Sequence, residues 1–227
     1  MKLVKKIFIQ GKIVTRTGLH IGGTKTSLDI GGVDLNVIKT AAGVPYIPGS
    51  SLKGKLRSML ARAFGSLDVK KDPVEIKRIF GGPDKDDDKA KGHVTRLLVR
   101  DAFLDKDKFD KTFQQKELEF AYSGIKVENT IDRKRGTAQH PRQLERVPAG
   151  VYFDFEMVYD GYSIGGNEEE IQQDLEKIRT AMRMLEGDYI GGSGSRGYGK
   201  IEFEEVTFQY KDYKENNDLK IYDKIQF

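Results

Sequence analysis

The sequence predicts an α+β fold with a ferredoxin-like or RRM-like core, ordered strand, helix, strand, strand, helix, strand (βαββαβ), carrying large insertions that form thumb and finger elements. Three observations predict it. Residues 3 to 15 alternate, with Ile7, Ile9 and Ile13 on one face, as a half-buried strand does. Two separate stretches show apolar stripes at spacings of three and four, the mark of amphipathic helices. Apolar runs follow each helical stretch, and the last of them, Ile201 to Tyr210, alternates again.

The first strand ends at Thr17-Gly18. Residues 19 to 49 hold Gly22-Gly23, Gly31-Gly32, Gly43, Pro45 and Pro48, which predicts loop or short hairpin laid over the core. From Ser50 or Ser51, read as a serine N-cap, the stripe Leu52, Leu56, Met59, Leu60 and Ala63 predicts a helix closing at Gly65. A short helix is expected around Val74 to Phe80, followed by the charge-dense stretch DKDDDKAKG. Val94 to Leu104 reads as a strand and Glu117 to Thr130 as a strand or hairpin arm; Gly136 and Pro141 then break regularity. Val151 to Tyr159 is the next strand. Asn167 and Glu170 form a capping box for a helix carrying Ile171, Leu175, Ile178, Met182 and Leu185, which ends at Gly187. The whole is one domain, residues 1 to 227, with insertions at about 18–49, 66–93 and 131–150.

Composition narrows the function classes. The chain has 227 residues and no cysteine, so disulfides and thiolate metal sites are excluded. No apolar run is long enough to span a bilayer, which predicts a cytoplasmic protein with no membrane partner. Its 39 Lys and Arg against 35 Asp and Glu leave a net charge of +4, and the distribution is more informative than that sum. Segment 132 to 146, DRKRGTAQHPRQLER, sets Arg133, Lys134, Arg135, Arg142 and Arg146 against Asp132 and Glu145. A second basic set, Lys53, Lys55, Arg57 and Arg62, lies in the first predicted helix. Such local surpluses are the footprint of a phosphate-backbone binder, and equally of a solvated charged face.

GGSGSRGYGK, residues 191 to 200, follows a helix and so is not a dinucleotide fingerprint. Successive backbone N–H groups there can meet a phosphate, with Arg196 and Lys200 adding charge. RNA contact accounts for five glycines in this stretch better than a turn does. His20, His93 and His140 are scattered, with no metal-ligand spacing. Asp29 and Asp34 lie in SLDIGGVDLNV, where an aspartate beside glycines is ordinarily a turn residue.

Together, TGLHIGG at 17–23, VDLNVIK at 33–39, PYIPGSSLKGKLR at 45–57, RDAFL at 100–104, VENTIDR at 127–133, HPRQLERVPAG at 140–150 and GGSGSRGYGK at 191–200 resemble the RAMP superfamily of CRISPR proteins. Their order is similar to that of the backbone subunit of type III-A (Csm) effector complexes. The resemblance implies a subunit that polymerises head to tail along guide RNA (crRNA), with other subunits of the complex as partners, and kinks the guide with an inserted thumb matching Ile131 to Val147. It also implies cleavage of complementary single-stranded target RNA at regular intervals, by an aspartate at the position of Asp34.

Splaying a target nucleotide beside the thumb frees its 2′-hydroxyl for in-line attack on the adjacent phosphate. An ordinary carboxylate is a poor general base at neutral pH, so Asp34 is expected to act partly through a divalent metal ion, Mg²⁺, which it also ligates. Guide binding is expected from His20, Ser51, Lys53, Lys55, Arg57, Arg133, Arg142, Gly192, Gly194 and Arg196, mostly to phosphate and ribose. Asp29 is a second carboxylate near Asp34, and the absence of cysteine rules out a zinc-bearing insertion. Two other readings remain: a non-catalytic RNA-binding scaffold, and a guide-processing endoribonuclease of the same superfamily working through histidine.

Overall fold

The computed structural model describes residues 2–23, 33–83, 93–113, 118–163, 168–213, 219–221, 225 and 227. Asp29, Asn167 and the stretch 84–92 lie outside the described residues, so the readings made on them are not addressed by it.

The elements are β1 (Lys2–Thr15), β2 (Tyr46–Ile47), α1 (Gly49–Ala63), α2 (Val74–Phe80), β3 (Leu97–Val99), β4 (Ala102–Leu104), α3 (Lys106–Phe113), β5 (Gly124–Ile131), β6 (Ala138–Arg146), β7 (Tyr152–Ser163), α4 (Glu169–Glu186), β8 (Ile201–Asp212) and β9 (Leu219–Ile221). One sheet runs β2-β4-β7-β1-β8-β9, with β3 also beside β7. β1 is antiparallel to both neighbours, placing Ile9 opposite Met157 and Phe208, and Ile13 opposite Phe153 and Phe203. With α1 and α4 as the crossovers, this is the strand order of the ferredoxin-like core.

The alternation of β1 explains where the core sits. Ile7, Ile9 and Ile13 are fully buried against the stripe Leu52, Leu56, Met59 and Leu60 of α1 and the stripe Ile171, Leu175, Ile178, Met182 and Leu185 of α4. Each such side chain contributes about 1.5–3 kcal/mol by leaving water. α2 is tied to α4 by a buried polar cluster: Asp174, wholly buried, accepts from Arg78 Nε at 2.9 Å and from the Tyr159 hydroxyl at 2.6 Å. Burial first, and the Asp174 charge second, push the Tyr159 hydroxyl far above its ordinary pKa.

Four expectations are corrected. α1 is not capped by serine: its N-cap residue is Pro48, and the Gly49 N–H is taken instead by the Asp101 carboxylate at 2.8 Å. A side chain at Gly49 would place its Cβ 2.3 Å from the Val99 carbonyl oxygen, so glycine is needed for that approach. The same contact turns Asp101 out of line, and the strand expected over 94–104 is broken into β3 and β4. α3 was not foreseen. The basic segment is not irregular: Gly136 lies in the turn joining β5 to β6, and Pro141 lies within β6 of this separate two-stranded hairpin. Pro141 falls at the shift in register between Arg142 and Gln139, where the ladder asks no N–H of it. Among the described residues no helix is long and apolar enough to cross a membrane.

Candidate nucleic-acid interface

Three chain segments distant in sequence converge beside the hairpin: the turn after β1, the first insertion from Val33 to Val44, and the glycine-rich loop. Leu19 pairs with Val147, Gly22 with Val37, and Leu35 with Leu144. The organising group is Glu145, whose carboxylate is 2% exposed. It accepts the Val37 N–H at 2.9 Å, pairs with the Lys39 ammonium at 2.5 Å and accepts the Ser123 hydroxyl. Its main-chain carbonyl accepts from His20 Nδ1 at 2.8 Å. A buried carboxylate with this many donors is satisfied, as burial demands.

Asp34 is exposed and sits on the rim of this assembly. Its Oδ2 accepts the Gln143 N–H at 2.8 Å, and the Glu145 N–H donates to the Leu35 carbonyl at 3.0 Å. The candidate catalytic carboxylate is thereby fixed to the basic arm of the hairpin, one residue from Arg142. Among the described residues no three His, Asp or Glu side chains gather in a way that could cage a metal ion. A single carboxylate is a donor set that would suit a largely hydrated hard cation rather than a caged one.

The glycine-rich loop is packed and spends many of its donors internally. Gly192 N–H bonds the His20 carbonyl at 2.8 Å, Gly199 N–H the Gly18 carbonyl at 3.0 Å, and Lys200 N–H the Thr17 hydroxyl at 3.0 Å. Arg196, Gly197 and Tyr198 N–H groups close turns within the loop. Its glycines serve close approach. A Cβ on Gly194 would lie 2.2 Å from the Tyr189 ring, and one on Gly199, at φ +75°, would lie 2.0 Å from the Ile190 carbonyl oxygen. The loop thus presents side chains more than a row of free amides.

Arg196 projects from it, exposed, toward Glu128 of β5 at 3.4 Å, and the buried Tyr198 hydroxyl donates to Glu128 at 2.9 Å. Burial raises the Glu128 carboxyl, but the Tyr198 hydroxyl, Lys126 and Arg196 outweigh it and hold the group below its usual range. Burial, and then that hydrogen bond, push the Tyr198 hydroxyl up to about 12. A groove of about 320 Å³ opens here between loop and hairpin, lined by Glu128, Asn129, Thr130, His140, Arg142 and Arg196.

The expected basic residues divide into two groups. Arg133, Arg142 and Arg196 are exposed, and the last two meet in the groove. The α1 set is directed at the protein itself. Lys53 donates to the Thr95 hydroxyl at 2.7 Å and the Leu97 carbonyl at 2.8 Å, and burial, with Arg57 nearby, lowers its pKa. Arg57 pairs with the buried Asp72 at 2.6 Å, and Lys55 lies 3.3 Å from Asp188 and over the Tyr189 ring. Ser51, half-buried, donates its N–H to the Pro48 carbonyl. His20 is buried, tying β6 to the glycine-rich loop. Sequence reading missed Glu128, and counted Glu145 only as charge balance against the arginines; the signal for Glu145 was a lone carboxylate beside Leu144, close to Val147, in a basic strand.

Comparison with known proteins places the chain in a family. A relative from Methanocaldococcus jannaschii, named CRISPR system Cms endoribonuclease Csm3, is 41% identical over 233 residues, covering 96% of this chain and 87% of its own. Proteins of the same name from Enterococcus italicus and Streptococcus thermophilus are 42% and 41% identical, over 88% and 94% of this chain and 91% and 96% of theirs. A solved structure, the crystal structure of the Csm3-Csm4 subcomplex in the type III-A CRISPR-Cas interference complex, superposes with a TM-score of 0.60 at 31% identity, covering 100% of this chain and 92% of that one. With the RAMP superfamily model also matching residues 12–202, the chain belongs to the RAMP superfamily, in its Csm3 branch.

Proposed function

We propose that this chain is the backbone subunit of a type III-A CRISPR effector complex, working in the prokaryotic cytoplasm, and that it grips guide RNA and cuts the paired target RNA at Asp34. As a Csm3-type backbone subunit it cleaves target RNA and assembles with other Csm subunits. The single observation that carries the site assignment is the hydrogen bond from Gln143 N–H to Asp34, which sets the carboxylate on the hairpin's basic arm.

In the proposed reaction a target nucleotide splayed against the hairpin exposes its 2′-hydroxyl. The 2′-oxygen attacks the adjacent phosphorus as the bond to the 5′-oxygen breaks, giving a 2′,3′-cyclic phosphate and a 5′-hydroxyl. Asp34 is proposed to orient the attack and to ligate a divalent ion, with Mg²⁺ the choice that matches a lone carboxylate; when bound it would supply charge neutralisation at the phosphate. Arg142 and Arg196 are placed to hold backbone phosphates, with Arg133 at the hairpin turn; Gly192 and Gly194 let the loop approach the guide. Lys53, Lys55, Arg57, Ser51 and His20, which are bonded within the protein, are proposed to act indirectly by holding the elements that carry this surface.

The test is cleavage of labelled complementary RNA with Mg²⁺ by reconstituted complexes carrying the native chain or Asp34→Ala, with target binding measured in parallel. Regularly spaced cuts lost with binding kept are expected. Cuts that persist leave a scaffold without catalysis.

A further inference from the structure

The face of the sheet turned away from α1 and α4 carries a groove of about 500 Å³. An RRM ordinarily meets RNA with this face, stacking bases on aromatic side chains of its central strands. Here the two central strands line the groove with Gln10 and Lys12 of β1 and Asp154 and Glu156 of β7. That is no stacking platform, and with Glu205 and Asp101 also in the wall, the acids exceed Lys12 and Arg100. Phosphate is repelled from such a surface.

The groove is built by a distortion. Pairing of β1 with β8 slips between Gln10 and Lys12, so that Gly11 faces an extra residue, and Glu205 takes φ 54°, a conformation side chains rarely adopt. A Cβ on Gly11 would lie 2.8 Å from the Glu204 carbonyl oxygen, so the bulge seats on that glycine. Bulges of this kind re-aim a side chain, and strain retained in a fold points to use. Asp154 is paired with Lys12 at 2.6 Å and Glu156 with Arg100 at 2.6 Å, whereas Glu205 is exposed and makes no ion pair among the described residues. Across the groove, on β4, Phe103 is 54% exposed and stacked with Tyr46, an aromatic ring on the wall opposite a carboxylate that has no ion pair among the described residues.

We propose that this groove docks an arginine-bearing loop of a partner protein subunit, the guanidinium meeting Glu205 while its plane lies on Phe103. A planar cation that pairs with carboxylate and stacks on an aromatic ring suits both walls. The proposal rests on the reading that the chain works within a multisubunit complex, and it assigns the open sheet face to protein and the hairpin side to RNA.

The complex is assembled with a photoreactive p-benzoylphenylalanine in place of Phe103, irradiated and digested. An adduct to an arginine-containing peptide of a partner subunit is expected; an adduct to RNA, or none, overturns the proposal. Glu205→Gly and Glu205→Lys supply the second arm. Because glycine relieves the strain at φ 54°, the isolated Glu205→Gly chain should melt no lower than the native chain, yet assemble about tenfold more weakly, and Glu205→Lys more weakly still. A role in fold alone gives no such divergence. Native assembly with unchanged assembly of Glu205→Lys removes the docking groove and leaves the functional reading standing; a native chain that enters no complex removes both.

Discussion

The carboxylate of Asp34 and the main-chain N–H of Gln143 lie 2.8 Å apart, so the candidate catalytic group is held by the strand that also carries Arg142. Mounting and chemistry are therefore separable. Asparagine keeps an oxygen for the Gln143 N–H but loses the charge. Asp34→Asn should leave thermal stability unchanged and lower single-turnover cleavage about 100-fold or more, and Asp34→Ala should lower both cleavage and order in the loop. Chelation of divalent ions should abolish cutting by the native complex with target binding retained, read by gel shift.

Glu145 serves three donors from Val37, Ser123 and Lys39. Glu145→Ala leaves them facing one another without an acceptor. Denaturant unfolding should show a loss of roughly 3 kcal/mol, and cleavage should fall with it because the insertion bearing Asp34 loses its anchor.

Salt dependence distinguishes outward from inward arginines. Arg142→Ala and Arg196→Ala should each reduce the slope of log K against log salt by about 0.7–0.9 for RNA binding. Arg57→Ala should leave the slope nearly unchanged and instead cost about 3–5 kcal/mol of stability, since Asp72, 3% exposed, is left buried without its partner.

Tyr198 gives the chain an alkaline sensitivity. Its hydroxyl is raised to about 12 in the folded protein, above the ordinary 10, so the folded state holds that proton more tightly than the unfolded chain does. Its contribution is full below about pH 10 and is lost as pH rises from there through about 12. Tyr198→Phe should flatten stability against pH across that window. Glu128, held low, acts oppositely: its contribution is present above the ordinary carboxylate range and lost as pH falls through its lowered folded value.

Strong periodicity made most of the core legible. β1, α1, α2, α4 and β8 lie close to where their apolar spacing places them, because burial against a sheet imposes that spacing directly. α3 was invisible because Phe109 and Phe113 are its only buried residues amid charge. β6 was hidden by Pro141, a breaker in a paired central strand but tolerated in a two-stranded arm, where His140 takes φ 53° beside the register shift. In the candidate site, the charges of Lys53, Arg57, Arg142 and Arg196 could be counted from the sequence, but not their direction. Direction is set by partners such as Asp72 and Leu97 that tertiary packing supplies.

The position of β1 between β7 and β8 bears on how the protein is made. β1 is synthesised ahead of both strands that flank it, and β8 follows only after β7 and α4 have been made. Until Ile201–Asp212 emerges, one edge of β1 remains unpaired, an invitation to wrong partners on a crowded polysome. The glycine-rich loop lies just ahead of that last core strand, so the candidate interface takes shape only once the strand that closes the core has been made.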